Sequence, residues 1–334
     1  MEPISIIATV IIPVYNEAQT LGDCLASLVR QAEQHQGIEI IVVDDGSTDN
    51  TADLAPGFPG VRWLRQIQQG PAAARNRGAR EARGEIILFT DGDCIPLDNW
   101  LEEMLAPFQQ TPDIIGVKGA YITHQRALMA RFVQLEYEDK YDKLAVPAYI
   151  DFIDTYSAGY RRQMFLKVGG FDQEFPVACA EDVELSYRLA NLGCKLVFNP
   201  NAKVIHRHPD SLADYLKKKY KFAYWRMLSL KKHPNKILAD SHTPQSMKAQ
   251  LLLFPALVAS LVLAFISPWL ARISLTIFLL VFLTTIPFII KAIAKDAATG
   301  CLSPLLLIMR SGVQFMGISL GILNNLGSRT VSKT

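Results

Sequence analysis

The chain has 334 residues, a formal net charge of +2 and an apolar half that is concentrated toward its C-terminal end. Near-neutral charge excludes a protein driven onto nucleic acid by a global positive field, and the length allows one large domain plus something smaller. Five cysteines, at 24, 94, 179, 194 and 301, form no CxxC pair, so neither a disulfide framework nor a zinc site is expected and a reducing compartment is.

Ile6 to Ile12 is a β-branched run ending at Pro13, which predicts a first strand. The N-terminus lacks a basic stretch before that run, so the expectation is a strand rather than a signal peptide, with the soluble part in the cytoplasm. Pro13 to Glu17 reads as the loop after it, and Leu21, Cys24, Leu25, Leu28 and Val29 recur at helical spacing. Ile38 to Val43 predicts a second strand. It runs into Asp44-Asp45-Gly46-Ser47-Thr48-Asp49, turn residues first and helix caps after. Val61 to Leu64 is a third, shorter strand, and Gly70-Pro71 opens a helix carrying Ala74-Arg75-Asn76-Arg77-Gly78. Such alternation predicts a mostly parallel sheet covered on both faces. No GxGxxG or Walker-type loop follows any strand, which argues against dinucleotide oxidoreductases and P-loop enzymes.

Glu85 to Leu88 predicts a buried strand that delivers Asp91-Gly92-Asp93 at its carboxyl end, where open α/β sheets bind ligands. Carboxylates this close repel unless a cation lies between them, and a divalent ion carrying phosphate oxygens answers that need. An ordinary Asp-Gly turn is the structural alternative. Ile114 to Gly119 is a further strand. Gln125 to Leu144 is a charged helix whose acids are expected on a solvated face. Gly159 and Gly169-Gly170 suggest close backbone approach. Ala180-Glu181-Asp182 opens a helix with acids in its first turn. Lys195 to Phe198 and Lys203 to His206 are strand-like, and His206 and His208, two apart, would face one side of extended chain as metal-ligand candidates.

From Asp210 the chain turns helical and basic, with Lys217, Lys218, Lys219, Lys221 and Arg226 among Tyr220, Tyr224 and Trp225. No nucleic-acid module accompanies it, and its place before apolar runs predicts an interfacial amphipathic segment meeting a lipid bilayer. Apolar segments near 251–270, 273–290 and 302–323 are each close to the ~20 residues that span a bilayer, the first two forming a hairpin split at Ala271-Arg272. Arg310 and Gln314 in the third should face protein or water, and Gly317 and Gly321 hint at helix packing. Lysines before the first span, with Lys291 and Lys295 after the second, place those ends in the cytoplasm. A third full span would put the tail with Arg329 and Lys333 outside, so that segment is also open to a re-entrant path.

In order, Val10–Glu17, Val42–Asp49, Ala74–Gly78, Asp91-Gly92-Asp93, Gly169-Gly170-Phe171-Asp172 and Glu181-Asp182 resemble the motifs of family 2 glycosyltransferases, over roughly residues 6 to 210. The resemblance implies an inverting enzyme whose catalytic domain has the GT-A fold, a Rossmann-like mixed sheet that binds nucleoside diphosphate sugars, followed by C-terminal transmembrane helices of the membrane-anchored bacterial kind. The organisation it implies is a catalytic domain over 1–209, an interfacial segment over 210–247, about three membrane helices over 248–326 and a tail over 327–334. Pro13, Tyr15 and Glu17 would line the nucleotide, Asp45 would bond its base (most naturally uracil), and Arg75 would sit by base or phosphates. Asp91 would contact ribose or sugar and share the metal region with Asp93. Asp93 and one of His206 and His208 would hold Mn²⁺ or Mg²⁺. Asp182 would be the general base, with Glu181 placing the acceptor. The expected partners are a nucleotide-sugar donor, a lipid-linked or cell-envelope glycan acceptor and the inner membrane, not nucleic acid. Tyr224-Trp225-Arg226 only partly echoes the motif of processive polysaccharide synthases, so single-sugar addition is preferred over polymer synthesis, with a non-catalytic sugar-nucleotide-binding membrane protein as a further alternative. A sugar nucleotidyltransferase would want a glycine-rich basic loop where Pro13 to Glu17 stands.

Overall fold

A computed structural model describes residues 5–175, 179–237, 240, 243–265 and 267–327. The chain forms two compact units: Met1–His124 with Tyr141–Arg207, and Gln125–Lys140 with His208–Thr334.

The first unit is an α/β domain. Its elements begin with β1 (Ala8–Val14), α1 (Leu21–Gln34), β2 (Ile38–Asp44), a 3₁₀ turn over Asn50–Gly57, β3 (Arg62–Arg65), α2 (Pro71–Glu81) and β4 (Ile86–Phe89). β5 (Ile95–Pro96), α3 (Trp100–Gln110) and β6 (Ile114–Ile122) follow. Helix α4 (Leu128–Leu144) is shared between the units, and β7 (Ala158–Arg161), α5 (Arg162–Lys167), α6 (Glu181–Asn191) and β8 (Lys195–Ile205) complete the first. The eight strands form one sheet in the order β3-β2-β1-β4-β7-β6-β8-β5. β3, β2, β1 and β4 run parallel, β7 is antiparallel to β4 and β6, and β6 and β8 are parallel. The sheet is therefore mixed.

β1 sits between β2 and β4, and Val10, Ile11 and Ile12 are fully buried. Each such side chain contributes about 1.5–3 kcal/mol. The strand continues through Pro13, which sequence reading puts in the following loop. This is tolerated because β4 pairs with β1 only as far as Ile11, so proline's missing N–H breaks no bond on that side. Gly78 lets α2 lie on β1, since a Cβ there would collide with Ile11. β7 and α3 escape sequence reading. The two strand-like pieces expected near 195–206 are one strand, interrupted where Lys118 pairs with Phe198 and Ala120 with Lys203. Asn199-Pro200 occupies the bulge, where proline has no N–H to give.

The second unit is helical: the first part of α4, then α7 (Leu212–Lys232), α8 (Gln245–Ala264), α9 (Pro268–Leu283), α10 (Ile286–Lys295) and α11 (Ala297–Gly327). Met129, Phe132, Val133, Tyr215, Leu306 and Leu307 form its apolar cluster. Among the described residues two helices, α8 and α11, are long and apolar enough to cross a membrane, or three if α9 and α10, bent by 44°, make one span. The break after α8 falls at Ser267-Pro268, where the serine caps α9 and proline takes its first turn, and not at Ala271-Arg272. The segment 302–323 lies inside the continuous α11, so the bend belongs to the second apolar stretch. Arg329 and Lys333 lie outside the described residues.

The acids of α4 correct a sequence expectation. Asp142 is exposed as expected, but the other three are paired: Glu136 with Lys219 (2.9 Å) and Arg310 (2.6 Å), Asp139 with Lys291 (3.5 Å), and Glu138 with Lys295. Gly317 and Gly321 seat α11 on α7, where a Cβ would stand 2.6 Å from the Tyr220 carbonyl oxygen and 2.7 Å from that of Tyr224.

Candidate active site

The site is built at the carboxyl ends of β1, β2 and β4. After β1, Asn16 takes φ +58°, a left-handed turn that asparagine tolerates. Its side-chain oxygen accepts from the Thr48 N–H (2.8 Å), and its own N–H donates to Ser47 Oγ (3.0 Å), tying the two loops together. Tyr15 is 40% exposed at the rim. Glu17 lies beside the Asp91-Gly92-Asp93 turn: a Cβ on Gly92 would meet Glu17 Cγ at 3.5 Å. Burial, and then Asp93 and Asp91, push the Glu17 carboxyl up from its ordinary value. Asp45, after β2, accepts from the N–H groups of Gln69 (2.9 Å) and Gly70 (2.7 Å) and from Gln66 Nε2 (2.8 Å). Three of its roughly four acceptor sites are thus used by the loop entering α2.

Arg75 is the centre of the arrangement. It is 2% exposed, and its guanidinium donates to Asp91 (2.7 Å) on one side and Glu181 (3.1 Å) on the other. Burial works against its charge, but Asp91 and Glu181 outweigh it and hold the proton more firmly. The guanidinium also stands 5.7 Å from the Phe171 ring. The next residue, Asn76, accepts from the Phe171 N–H (2.8 Å) and donates to the Phe171 carbonyl (2.7 Å). It thereby pins the Gly169-Gly170 turn, in which both glycines have positive φ, +88° and +69°. Sequence reading found Arg75 but not this role of Asn76, whose signal was the neighbouring arginine.

Glu181 and Asp182 stand in the first turn of α6. Glu181 accepts from the N–H groups of Cys179 (2.8 Å) and Ala180 (3.1 Å) in addition to Arg75, so its carboxylate is fixed by its surroundings. Asp182 accepts from the Val183 N–H (2.7 Å). Burial first, then Glu181 and Asp154, push its carboxyl up to about 8. A carboxyl poised near neutrality suits proton abstraction.

Asp93 and His206 come together at 3.5 Å, and ligand atoms of Asp93, Cys94 and His206 all lie within 4.8 Å of one another. His206 follows β8, donates its N–H to the Ile122 carbonyl (2.9 Å) and stacks on Tyr121. Burial, then Asp93, pushes the Cys94 thiol well up, so it offers a neutral sulfur. An oxygen and an imidazole nitrogen fit an ion such as Mn²⁺. Asp91, turned to Arg75, is not in that cluster. His208 is not either: it belongs to the second unit, where Nε2 lies 3.0 Å from Gln134 Oε1 and the ring stacks on Tyr137. The same-face expectation for the two histidines fails because β8 ends at Ile205.

A mixed sheet with acids from several loops gathered at the ends of its parallel strands defines an α/β nucleotide-sugar fold of the GT-A type. A mannosyltransferase from Pyrobaculum calidifontis, solved in complex with GDP-Man and Mn²⁺, shares that fold with a TM-score of 0.58 at 20% identity, over 96% of this chain and 87% of its own. The description Glycosyl transferase family 2 matches residues 9–169. Glycosyltransferase AglE of Haloferax volcanii is 30% identical over 224 residues, covering 64% of this chain and 70% of AglE. The chain belongs to glycosyltransferase family 2. A pre-mycofactocin glycosyltransferase of Mycobacterium tuberculosis is 28% identical over 236 residues, 68% of this chain; the match spans about half, 48%, of that relative's length.

Proposed function

We propose that the protein is a membrane-anchored inverting glycosyltransferase. It moves one sugar from a nucleoside diphosphate donor, a UDP-sugar in the first instance, to a lipid-linked or cell-envelope glycan acceptor. The observation that carries this reading is Arg75, which joins Asp91 on the donor-side turn to Glu181 beside Asp182. Pro13, Tyr15, Glu17 and the remaining acceptor site of Asp45 receive the nucleoside. Asp93 and His206 hold a divalent cation, which when bound stabilises the charge on the departing diphosphate. Asp182 takes the proton of the acceptor hydroxyl as that oxygen attacks the anomeric carbon, and one displacement with one base inverts the centre. Glu181 helps place the acceptor through the first turn of α6, which it fixes against Arg75. The apolar α8 and α11 support anchoring in a membrane; in this reading it is the bacterial inner membrane, with the catalytic unit on the cytoplasmic side.

The test is a thermal-shift screen of the purified chain with UDP-, GDP- and dTDP-sugars, with and without Mn²⁺. We expect one nucleotide to stabilise the protein only with the metal, and Asp93→Ala to lose that stabilisation. No metal-dependent stabilisation by any nucleotide sugar would overturn the reading.

A further inference from the structure

Asp93 and His206 are not alone at the proposed cation position, because Cys94 faces both. Cys94 Sγ lies 3.6 Å from Asp93 Oδ1 and 3.7 Å from His206 Nδ1, and that nitrogen lies 3.5 Å from Asp93 Oδ2. The backbone sets this meeting. The Cys94 N–H donates to the Asp91 carbonyl (3.0 Å), which closes the acidic turn. β5 then pairs antiparallel with β8, Ile95 opposite Ile205, so one step back along the ladder Cys94 stands opposite His206. Opposed residues of an antiparallel pair project from the same face of the sheet.

The three separations carry chemical information. Tetrahedral bonds of ~2.3 Å to sulfur, ~2.0–2.1 Å to nitrogen and ~2.0–2.2 Å to oxygen place ligand atoms about 3.3–3.7 Å apart. The observed 3.5, 3.6 and 3.7 Å fall in that range, with Asp93 presenting one oxygen to each neighbour. Octahedral Mg²⁺, with bonds of ~2.0–2.1 Å, would draw adjacent ligands to about 2.9 Å. Burial is unequal around the triangle. Cys94 is 0% and His206 8% exposed, whereas the Asp93 side chain is 39% exposed. The sulfur and the imidazole therefore form the closed side, and the open corner lies at the acidic turn. A carboxylate and an imidazole suit several divalent ions, but a thiolate is soft and disfavours Mg²⁺.

We propose that Cys94 is a third ligand of the divalent cation, bound through sulfur, and that it makes the site prefer Zn²⁺ and Co²⁺ to Mn²⁺ and Mg²⁺. This rests on the cation site of the proposed transferase. The open corner at Asp93 is where a diphosphate oxygen of the donor completes four ligands. On binding, the metal replaces the thiol proton, which leaves to solvent. Without metal the thiol is a weak hydrogen-bond donor to the same two atoms.

The experiment titrates Co²⁺ into the purified full-length chain carrying Cys194→Ser and Cys301→Ser, which removes the two thiols that are not buried. Visible d–d absorption reports bound Co²⁺, and a near-ultraviolet charge-transfer band reports a sulfur–cobalt bond. Both signals are expected in this background. The charge-transfer band should vanish in Cys94→Ser and in Cys94→Ala and persist in Cys24→Ser. In competition, Cys94→Ser should weaken Zn²⁺ and Co²⁺ by about 10–100-fold and leave Mg²⁺ unchanged. A metal-free Tm close to the background confirms that the variants fold. Bound Co²⁺ with no charge-transfer band, or a band that survives Cys94→Ser, overturns the proposal and leaves the thiol a hydrogen-bond donor only. If the background binds no Co²⁺, or Asp93→Ala and His206→Ala bind it as tightly as the background does, the cation site itself falls and Cys94 falls with it.

Discussion

Two buried arginines, one in each unit, are surrounded in opposite ways. Arg75 faces Asp91 and Glu181, with Asp182 acting on it as well, so carboxylates outnumber the cation. Arg310 and Lys219 share Glu136, so there the cations outnumber the acid. Burial pushes Glu136 up, yet Lys219 and Arg310 outweigh it and hold the carboxyl below its ordinary value. Tyr215 donates to Glu136 (3.1 Å), while Gln250 Oε1 accepts from Arg310 (2.7 Å) and from Ser311 (3.2 Å). The second cluster is a lock among helices. The first retains an excess of negative charge, which the proposed transfer needs in order to take up a cation and a proton.

The contrast is broken most severely by Asp182→Asn. It should lower transfer by about 10²–10⁴-fold while nucleotide binding stays near the parent value; turnover and equilibrium binding on one preparation check this. In the helical unit, Arg310→Met leaves Glu136 short of a partner and should cost about 3–5 kcal/mol. The double variant Glu136→Gln with Arg310→Met should cost less than the sum of the single changes, as read from denaturation in detergent. His206→Ala should weaken metal-dependent donor binding by about 10–100-fold, and His208→Ala should leave it close to the parent. Gly321→Val forces α7 and α11 apart and should cost about 1–3 kcal/mol with donor binding unchanged. The parent enzyme should gain activity as pH rises toward and through about 8, because the Asp182 carboxyl is raised and must lose its proton to act.

Three of the four parallel strands, β1, β2 and β4, were legible because they are contiguous apolar runs rich in β-branched residues that lead into turn residues, as at Ile38 to Asp44. β7 was not: four residues including Gly159 carry no pattern, and they form a strand only because β4 and β6 flank them. Asp91-Gly92-Asp93 and Glu181-Asp182 were legible as motifs. That Asp91 is turned to Arg75 and only Asp93 to His206 depends on contacts far apart in sequence. Lys118 was invisible as a charged residue in an apolar run, since its partners Asp154 and Tyr156 come from another segment. Helix α4 misled for a related reason. A helix rich in acids looks solvated until its partner lysines and arginines, more than seventy positions on, are folded against it.

The most direct measurement follows the anomeric configuration of the transferred sugar by NMR, donor against isolated product. A single displacement assisted by one carboxylate predicts inversion in the parent enzyme. Net retention would require a second nucleophile and would contradict Asp182 as the base.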